Sequence, residues 1–376
     1  MLLSNLAEDV VEEILSRVPA KSLKRFQSTC KQWNPLFNDD SFTKKHFEKA
    51  AKEALVLMVR NFRVYSVSFD LSGIHNNIDH ATIKPKGEFS LLGDYNRDIF
   101  HCNGLLLCTK NKESSNDVGD RVVAYNPCTR QTKWIELSSV HKEIDKIAFG
   151  YKNNESGCHS YKILMFTCYK PVFDKFNIYE FSSNSWRVLY GITRDWNAAS
   201  DDGGLSFKGN TYWIASDREN ILDELFVLRF DFTEERFQRL RLPFTSTRSS
   251  DMVVLSTVRE EQLAVLFKDT VGSTMGIWLT NKIDDDEPNN VSWCMFFKVD
   301  LHEKYRVSHS MSFVVDEENK LAVCCDRYLE GCDFNSRIYI SREDEFRQVD
   351  LLGDFVIQPK HYWTFLFTYV PSLVQI

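Results

Sequence analysis

The sequence predicts a mainly β protein: a short all-α unit over residues 1–50, followed over 51–376 by a β-propeller of about six blades. Three observations predict it. Apolar residues recur at helical spacing within the first 50 residues. Beyond about Glu53 the chain breaks into short runs of Val, Ile, Phe, Tyr and Trp, divided by clusters of Gly, Asn, Asp and Ser. Those runs repeat about every 50 residues. With 43% hydrophobic residues and a formal net charge of -7 over 376 residues, the composition is that of a folded chain with a large core.

In the helical unit, Asn5 and Glu8 have capping-box spacing, and Glu8 and Asp9 sit where the helix dipole favours negative charge. Leu6, Val10, Ile14 and Val18 then follow at four-residue intervals, with Val11 and Leu15 widening the stripe and Glu12, Glu13, Ser16 and Arg17 on the other side. Pro19 stops this helix. Leu23 and Phe26 fall three apart in a basic helix with Lys21, Lys24 and Arg25. Cys30, Trp33, Leu36 and Phe37 form another periodic run, which Pro35 bends or ends. Asn38-Asp39-Asp40-Ser41 reads as a turn and cap before a last helix with Phe42, His46 and Phe47. A unit this small buries too little surface to be secure alone, so its apolar surplus seeks either a partner or the domain that follows.

The β region carries two recurring signals. One is a polar turn before an apolar strand: Asn103-Gly104 before LLLC, Gly157 before SYKILMF, Lys208-Gly209 before NTYWIA, Glu261 before QLAVLF, and Asn319 before KLAVCC. Marks at 104, 157, 209, 261 and 319 are 53, 52, 52 and 58 residues apart. The other is an aromatic strand, a polar turn and a return strand bearing Trp or Phe: VVAYNPCTRQTKWIEL, IYEFSSNSWRVL, LFVLRFDFTEERFQRL and IYISREDEFRQVDL. Units of a few antiparallel strands cannot bury both faces alone, and stacking them around a ring does so. Counting ALVLMVRNFRVYSVSFDL and a unit spanning GIWLT to SWCMFFKV gives about six blades, with five or seven as alternatives. HYWTFLFTYV is left as a closing strand.

The acidic balance, 53 Asp and Glu against 46 Lys and Arg, argues against nucleic-acid binding through a chain-wide positive field. No apolar run reaches membrane-span length, and early Glu8 and Asp9 exclude a secretory leader, so a soluble protein of the cytoplasm or nucleus is expected. Ten cysteines include no C-x-x-C pair; Cys108, Cys168 and Cys324 sit in apolar runs and read as buried thiols. His101-Cys102 and Cys158-His159 are adjacent pairs that on a strand point to opposite faces. No phosphate loop, G-x-S-x-G elbow or H-E-x-x-H motif occurs. Asp201-Asp202 and Asp284-Asp285-Asp286-Glu287 read as solvated loop tips.

The segment SNLAEDVVEEILSRVPAKSLKRFQSTCKQWNPLFNDDSFTKKHF has EILSRVPAKSLKRF, then CKQW, then Phe before His, and resembles an F-box of the kind abundant in plants. HCNGLLLC, VVAYNPCTRQTKW and FGYKNNESGCHSYKILMF resemble the kelch-like type 1 F-box-associated interaction domain. Gly203-Gly204 and Tyr212-Trp213 partly echo the kelch double glycine and aromatics. The resemblance implies a substrate-recognition subunit of a ubiquitin ligase. Its helices would dock a Skp-family adaptor, and through it a cullin, while the β domain binds a target protein without cofactor or catalysis of its own. By position, the implied contact and core residues are Leu6, Ile14, Leu15, Val18, Pro19, Leu23, Phe26, Cys30 and Trp33. Where the family has Leu-Pro, this chain has Leu6-Ala7, which predicts weaker docking. Trp196, Arg194, Arg248 and Tyr328 are residues of the type that anchor protein partners. A ligand-binding or enzymatic propeller with purely structural helices is the alternative reading.

Overall fold

Four helices open the chain: α1 Glu8–Leu15, α2 Ala20–Thr29, α3 Asn34–Phe37 and α4 Asp40–Lys49. They belong to a computed structural model whose described residues are 7–29, 33–50, 54–60, 63–70, 82–89, 99–109, 121–137, 146–153, 159–166, 175–198, 204–218, 224–246, 251–269, 273–283, 290–301, 307–308, 310–330, 333–343, 345–351 and 364–376. The cap of α1 is Ala7, at φ -60 and ψ 144, whose carbonyl takes the N–H groups of Val10 and Val11. The expected cap, Asn5, lies outside the described residues. Both prolines start helices where stops were expected. Pro19 lies four residues past the end of α1, and its carbonyl accepts from Ser22 and Leu23 in α2. Pro35 occupies the first turn of α3, where its missing N–H costs nothing. Asp39 caps α4 as expected, its side chain accepting from the Phe42 N–H at 2.9 Å.

The remaining chain forms a six-bladed propeller of antiparallel sheets. The first blade combines Leu55–Arg60, Arg63–Asp70 and Thr82–Phe89 with Phe365–Tyr369, which supplies its innermost strand. Leu55 pairs with Tyr369 and Val59 with Phe365, so the expected closing strand does close the ring. Blades two to six start on Ile99–Cys102, Lys146–Asn153, the split pair Trp196–Ala198 and Leu205–Phe207, Met252–Val258 and Ser310–Asp316. At the outer edge Asp350 and Leu351 pair in parallel with Thr82 and Ile83, a second seam between the last blade and the first.

The turn marks read from the sequence are the first hairpins of the blades. Asn103-Gly104 (φ 49 and 77) and Lys208-Gly209 (φ 47 and 74) turn through the left-handed region, as does Lys320 (φ 50) after the Asn319 mark. Gly157 lies outside the described residues. The run from GIWLT to SWCMFFKV is not a separate unit: Thr274–Thr280 and Trp293–Asp300 are the outer strands of the blade marked by Glu261.

Each neighbouring pair of blades shares an apolar cluster. Leu57, Val59 and Tyr369 meet Leu106 and Val123 between the first and second blades. Phe166 and Phe176 meet Trp196, Trp213 and Phe230 between the third and fourth. Met58 and Leu366 meet Val323 and Ile340 between the sixth and first. Packing is closest at Gly150, where an added Cβ would stand 2.3 Å from the Gly209 carbonyl oxygen and 2.4 Å from the Phe232 ring. The backbones touch there, the Tyr151 N–H donating to Gly209 O at 3.0 Å. Gly150→Ala is therefore expected to cost about 1–3 kcal/mol in urea unfolding; an unchanged midpoint would show that the two blades can part without cost.

Candidate functional site

The helical unit has its own core, and that core reaches the ring. Val11 and Leu15 of α1 pack with Ala20, Leu23, Phe37 and Phe42, and Leu373, beyond the closing strand, joins them. Asn126 fixes the segment bearing Leu373 through Nδ2 donation to Ser372 O (3.2 Å) and Val374 O (2.7 Å). The Ser372 hydroxyl donates to Asn103 O at 2.6 Å. The helices thus sit at the end of the ring where the first hairpins turn.

α4 holds α1 by charge. Lys45 lies 2.8 Å from Glu12, and Lys49 and Arg17 lie 2.9 and 2.8 Å from Glu13. Those cationic neighbours, Lys49 foremost, pull the Glu13 carboxyl down to about 2. His46 is buried, with Nε2–H donating to Val18 O at 2.8 Å, and burial lowers its pKa.

The predicted contact residues separate into two groups. Leu15 and Leu23 are 1% and 0% exposed, so they build the helical core and offer a partner no surface. Ile14 and Phe26 remain exposed at 41% and 40%. Val18, Pro19 and Trp33 are half-buried, with the Trp33 ring edge-on to Phe26 at 6.3 Å. Leu6 and Cys30 lie outside the described residues. Val10, 46% exposed, was missed as a contact residue although it lies on the same four-residue spacing as Ile14. The stripe expected to face inward is therefore divided: Val11 and Leu15 go in, while Val10 and Ile14 face out.

The proposed anchors on the β domain fare differently. Trp196 and Arg194 are buried, with Arg194 Nε donating to Trp196 O at 3.0 Å and its guanidinium 5.2 Å from the indole. Trp196 packs between the third and fourth blades and Arg194 is buried beside it, so neither is an exposed anchor. Tyr328 is half-buried beneath the Arg337 guanidinium at 3.9 Å, and Arg248 lies outside the described residues. Tyr190, 87% exposed, follows an outermost strand at the end of the ring away from the helices. His101 and Cys102 face opposite ways as expected, His101 to the ring axis and Cys102 to an inter-blade core. Burial pushes the thiols of Cys102 and Cys108 up, that of Cys108 to about 12, which makes them poor nucleophiles.

Comparison with known proteins settles the family. Residues 3–45 match the F-box domain, and residues 55–376 match the F-box associated beta propeller domain. The chain belongs to the F-box proteins with an F-box associated propeller. An F-box/kelch-repeat protein of Arabidopsis thaliana is 45% identical over 99% of this chain and 98% of its own length. A further Arabidopsis thaliana F-box protein is 44% identical over 100% of this chain and 98% of its own. Among solved structures, an alpha-L-arabinanase of Penicillium chrysogenum is 13% identical with a TM-score of 0.41, covering 69% of this chain and 83% of that one. That likeness is too distant to bear on chemistry. An F-box joined to such a propeller has the composition of a substrate receptor of Skp, cullin and F-box ligases in general.

Two outcomes test the burial of the helical core and of the two histidines. Leu23→Ala is expected to destabilise the helices by about 2–5 kcal/mol, read as lost amide-exchange protection in α1 and α2; retained protection would mean that Leu23 does not hold them. His46 and His101 both have folded pKa values below the ordinary 6.5, that of His101 at about 3 through burial. Between those values and 6.5 the unfolded chain binds more protons, so their stabilisation is full above about 6.5 and is lost as pH falls. Unfolding free energy should fall from about pH 7 to 5 more steeply in the wild type than in His101→Gln; parallel profiles would contradict this.

Proposed function

We propose that this F-box protein is the substrate-recognition subunit of a Skp, cullin and F-box ubiquitin ligase. The exposure of Val10, Ile14 and Phe26 on an otherwise packed helical unit carries the reading. Seven large apolar side chains are exposed among the described residues, and three of them stand on α1 and α2. Large apolar side chains left in water beside a closed core are the mark of a partner surface. Half-buried Val18, Pro19 and Trp33 would complete the contact with a Skp-family adaptor, which links the chain to a cullin. The propeller's loops at the end away from the helices would take the target protein, with Tyr190 as an aromatic anchor.

In this reading the chain makes and breaks no covalent bond. It raises the effective concentration of a bound target beside the charged ubiquitin carrier, and the chemistry belongs to the partners.

Capture of the purified chain by an immobilised Skp-family adaptor tests the proposal. Ile14→Asp and Phe26→Asp should each weaken capture by about tenfold or more while leaving the thermal unfolding midpoint in place, since both side chains are exposed. Absence of capture by the wild type would favour a propeller with purely structural helices. Ala7 already has the backbone of a proline, with φ -60. Ala7→Pro should therefore tighten capture by about two- to fivefold through a less disordered unbound chain; equal or weaker capture would show that the family's proline is dispensable here.

A further inference from the structure

Residues 370–376 run on from the closing strand as a strap between ring and helices. Leu373 and Val374 are neighbours that go opposite ways. Leu373, 4% exposed, lies in the helical core with Val11, Leu15, Leu23 and Phe42, whereas Val374, 8% exposed, lies in the core between the second and third blades. Fully buried Asn126 of the second blade donates through Nδ2 to the carbonyls on either side of Leu373, those of Ser372 and Val374. Its Oδ1 is engaged elsewhere, accepting the Cys128 and Thr129 N–H groups at 2.8 and 3.3 Å in the hairpin of its own blade. Ser372 is pressed so closely on Gly104 that an added Cβ there would stand 2.4 Å from its Oγ. Gln375 ties the strap to the Phe37 carbonyl of α3 on one side and to Gln131 of the ring on the other.

Consecutive residues of a helix point about 100° apart, so a rotation of α1 by that angle would exchange Val10 with Val11 and Ile14 with Leu15. All four are apolar, and their own hydrophobicity does not decide which pair turns inward. The cluster that receives Val11 and Leu15 decides it, and Leu373 is the buried member of that cluster that the propeller contributes. The side chains left outside, Val10 and Ile14, are then those of the exposed patch.

We propose that Leu373 and Asn126, both in the propeller, are positioning residues for adaptor docking: through the strap they fix how α1 is turned and seated on the ring, and so which apolar residues it offers. The partner in this proposal rests on the adaptor reading above. Leu373 and Asn126 are themselves buried and offer a partner no surface, so they act through the helices. The coupling is reciprocal, because an adaptor that binds the oriented helices must also steady the strap.

Three variants of the full chain test it. Asn126→Asp keeps the acceptor that holds the hairpin and loses both donors to the strap. Leu373→Ala empties its place in the helical core, and Leu373→Met nearly preserves the volume. The first two should each weaken capture by an immobilised Skp-family adaptor by about fivefold or more, with amide protection in α1 retained, and Leu373→Met by less than about twofold. In the wild type, saturation with the adaptor should slow exchange at the Val374 and Ile376 amides, which donate to Ser372 Oγ and Gln131 Oε1. Orientation is read without any adaptor from spin labels at exposed Glu8 and Asp195, attached through non-natural side chains to spare the cysteines. One narrow distance distribution is expected in the wild type, and a shifted or broadened one in Asn126→Asp and Leu373→Ala. Gln375→Ala, which cuts the tie to α3, replaces either variant that does not fold. If the wild type is not captured, the adaptor reading fails, and the label distances alone decide whether the strap positions α1. Unchanged distances, unchanged capture, or a loss of capture that only tracks lost protection in α1 would overturn the proposal.

Discussion

A four-stranded antiparallel blade has two apolar faces and can cover neither by itself, so every blade in this ring depends on two neighbours. Of the six seams, five join blades that follow one another along the chain. The sixth joins segments from opposite ends of the propeller: Phe365–Tyr369 must lie along Leu55–Arg60 before the first blade has an inner strand. That pairing covers Leu57 and Val59 on the side of the second blade through Tyr369, and Met58 on the side of the sixth through Leu366. The parallel contact of Asp350 and Leu351 with Thr82 and Ile83 reinforces the same seam at the rim.

The closing strand also sets the orientation of the helices. Having completed the ring, the chain continues through Ser372 and Val374, whose carbonyls are held by Asn126 of the second blade, and delivers Leu373 to the helical core. Gln375 adds a donor to the Phe37 carbonyl at 3.5 Å. A short helical unit that could not bury enough surface alone is thereby tied to a large body without losing its own exposed apolar residues. Adaptor surface and target surface, on the proposed reading, then stand at opposite ends of one rigid ring.

Much of the fold was legible in the sequence because propeller blades leave a local signal. Asn103-Gly104 and Lys208-Gly209 need positive φ, and glycine or asparagine marks both turns, whereas Arg259 and Glu260 turn through the same region without either. The helical surface was harder to read. Val10 and Val11 are chemically alike and adjacent, and which one turns inward depends on where Leu23, Phe42 and Leu373 stand, which no local pattern encodes. Pro19 and Pro35 were ambiguous because the same residue that breaks a helix interior also suits a first turn. Whether Trp196 and Arg194 are exposed was undecidable from sequence because aromatic and guanidinium groups serve as surface anchors and as packing alike; the fold buries both. The hollow along the ring axis was invisible as well, since its walls come from all six blades.

The order in which the chain is made gives the closing strand a further meaning. Helices and five complete blades leave the ribosome while Leu55–Arg60 still presents an unpaired inner edge, the type of edge that recruits stray strands. Leu373 follows even later, so the helical core is also incomplete until then. A chain interrupted before Phe365 would leave that inner edge unpaired and the helical core open. The same stretch that closes the ring therefore also completes the core of the helical unit, so the two domains are finished together.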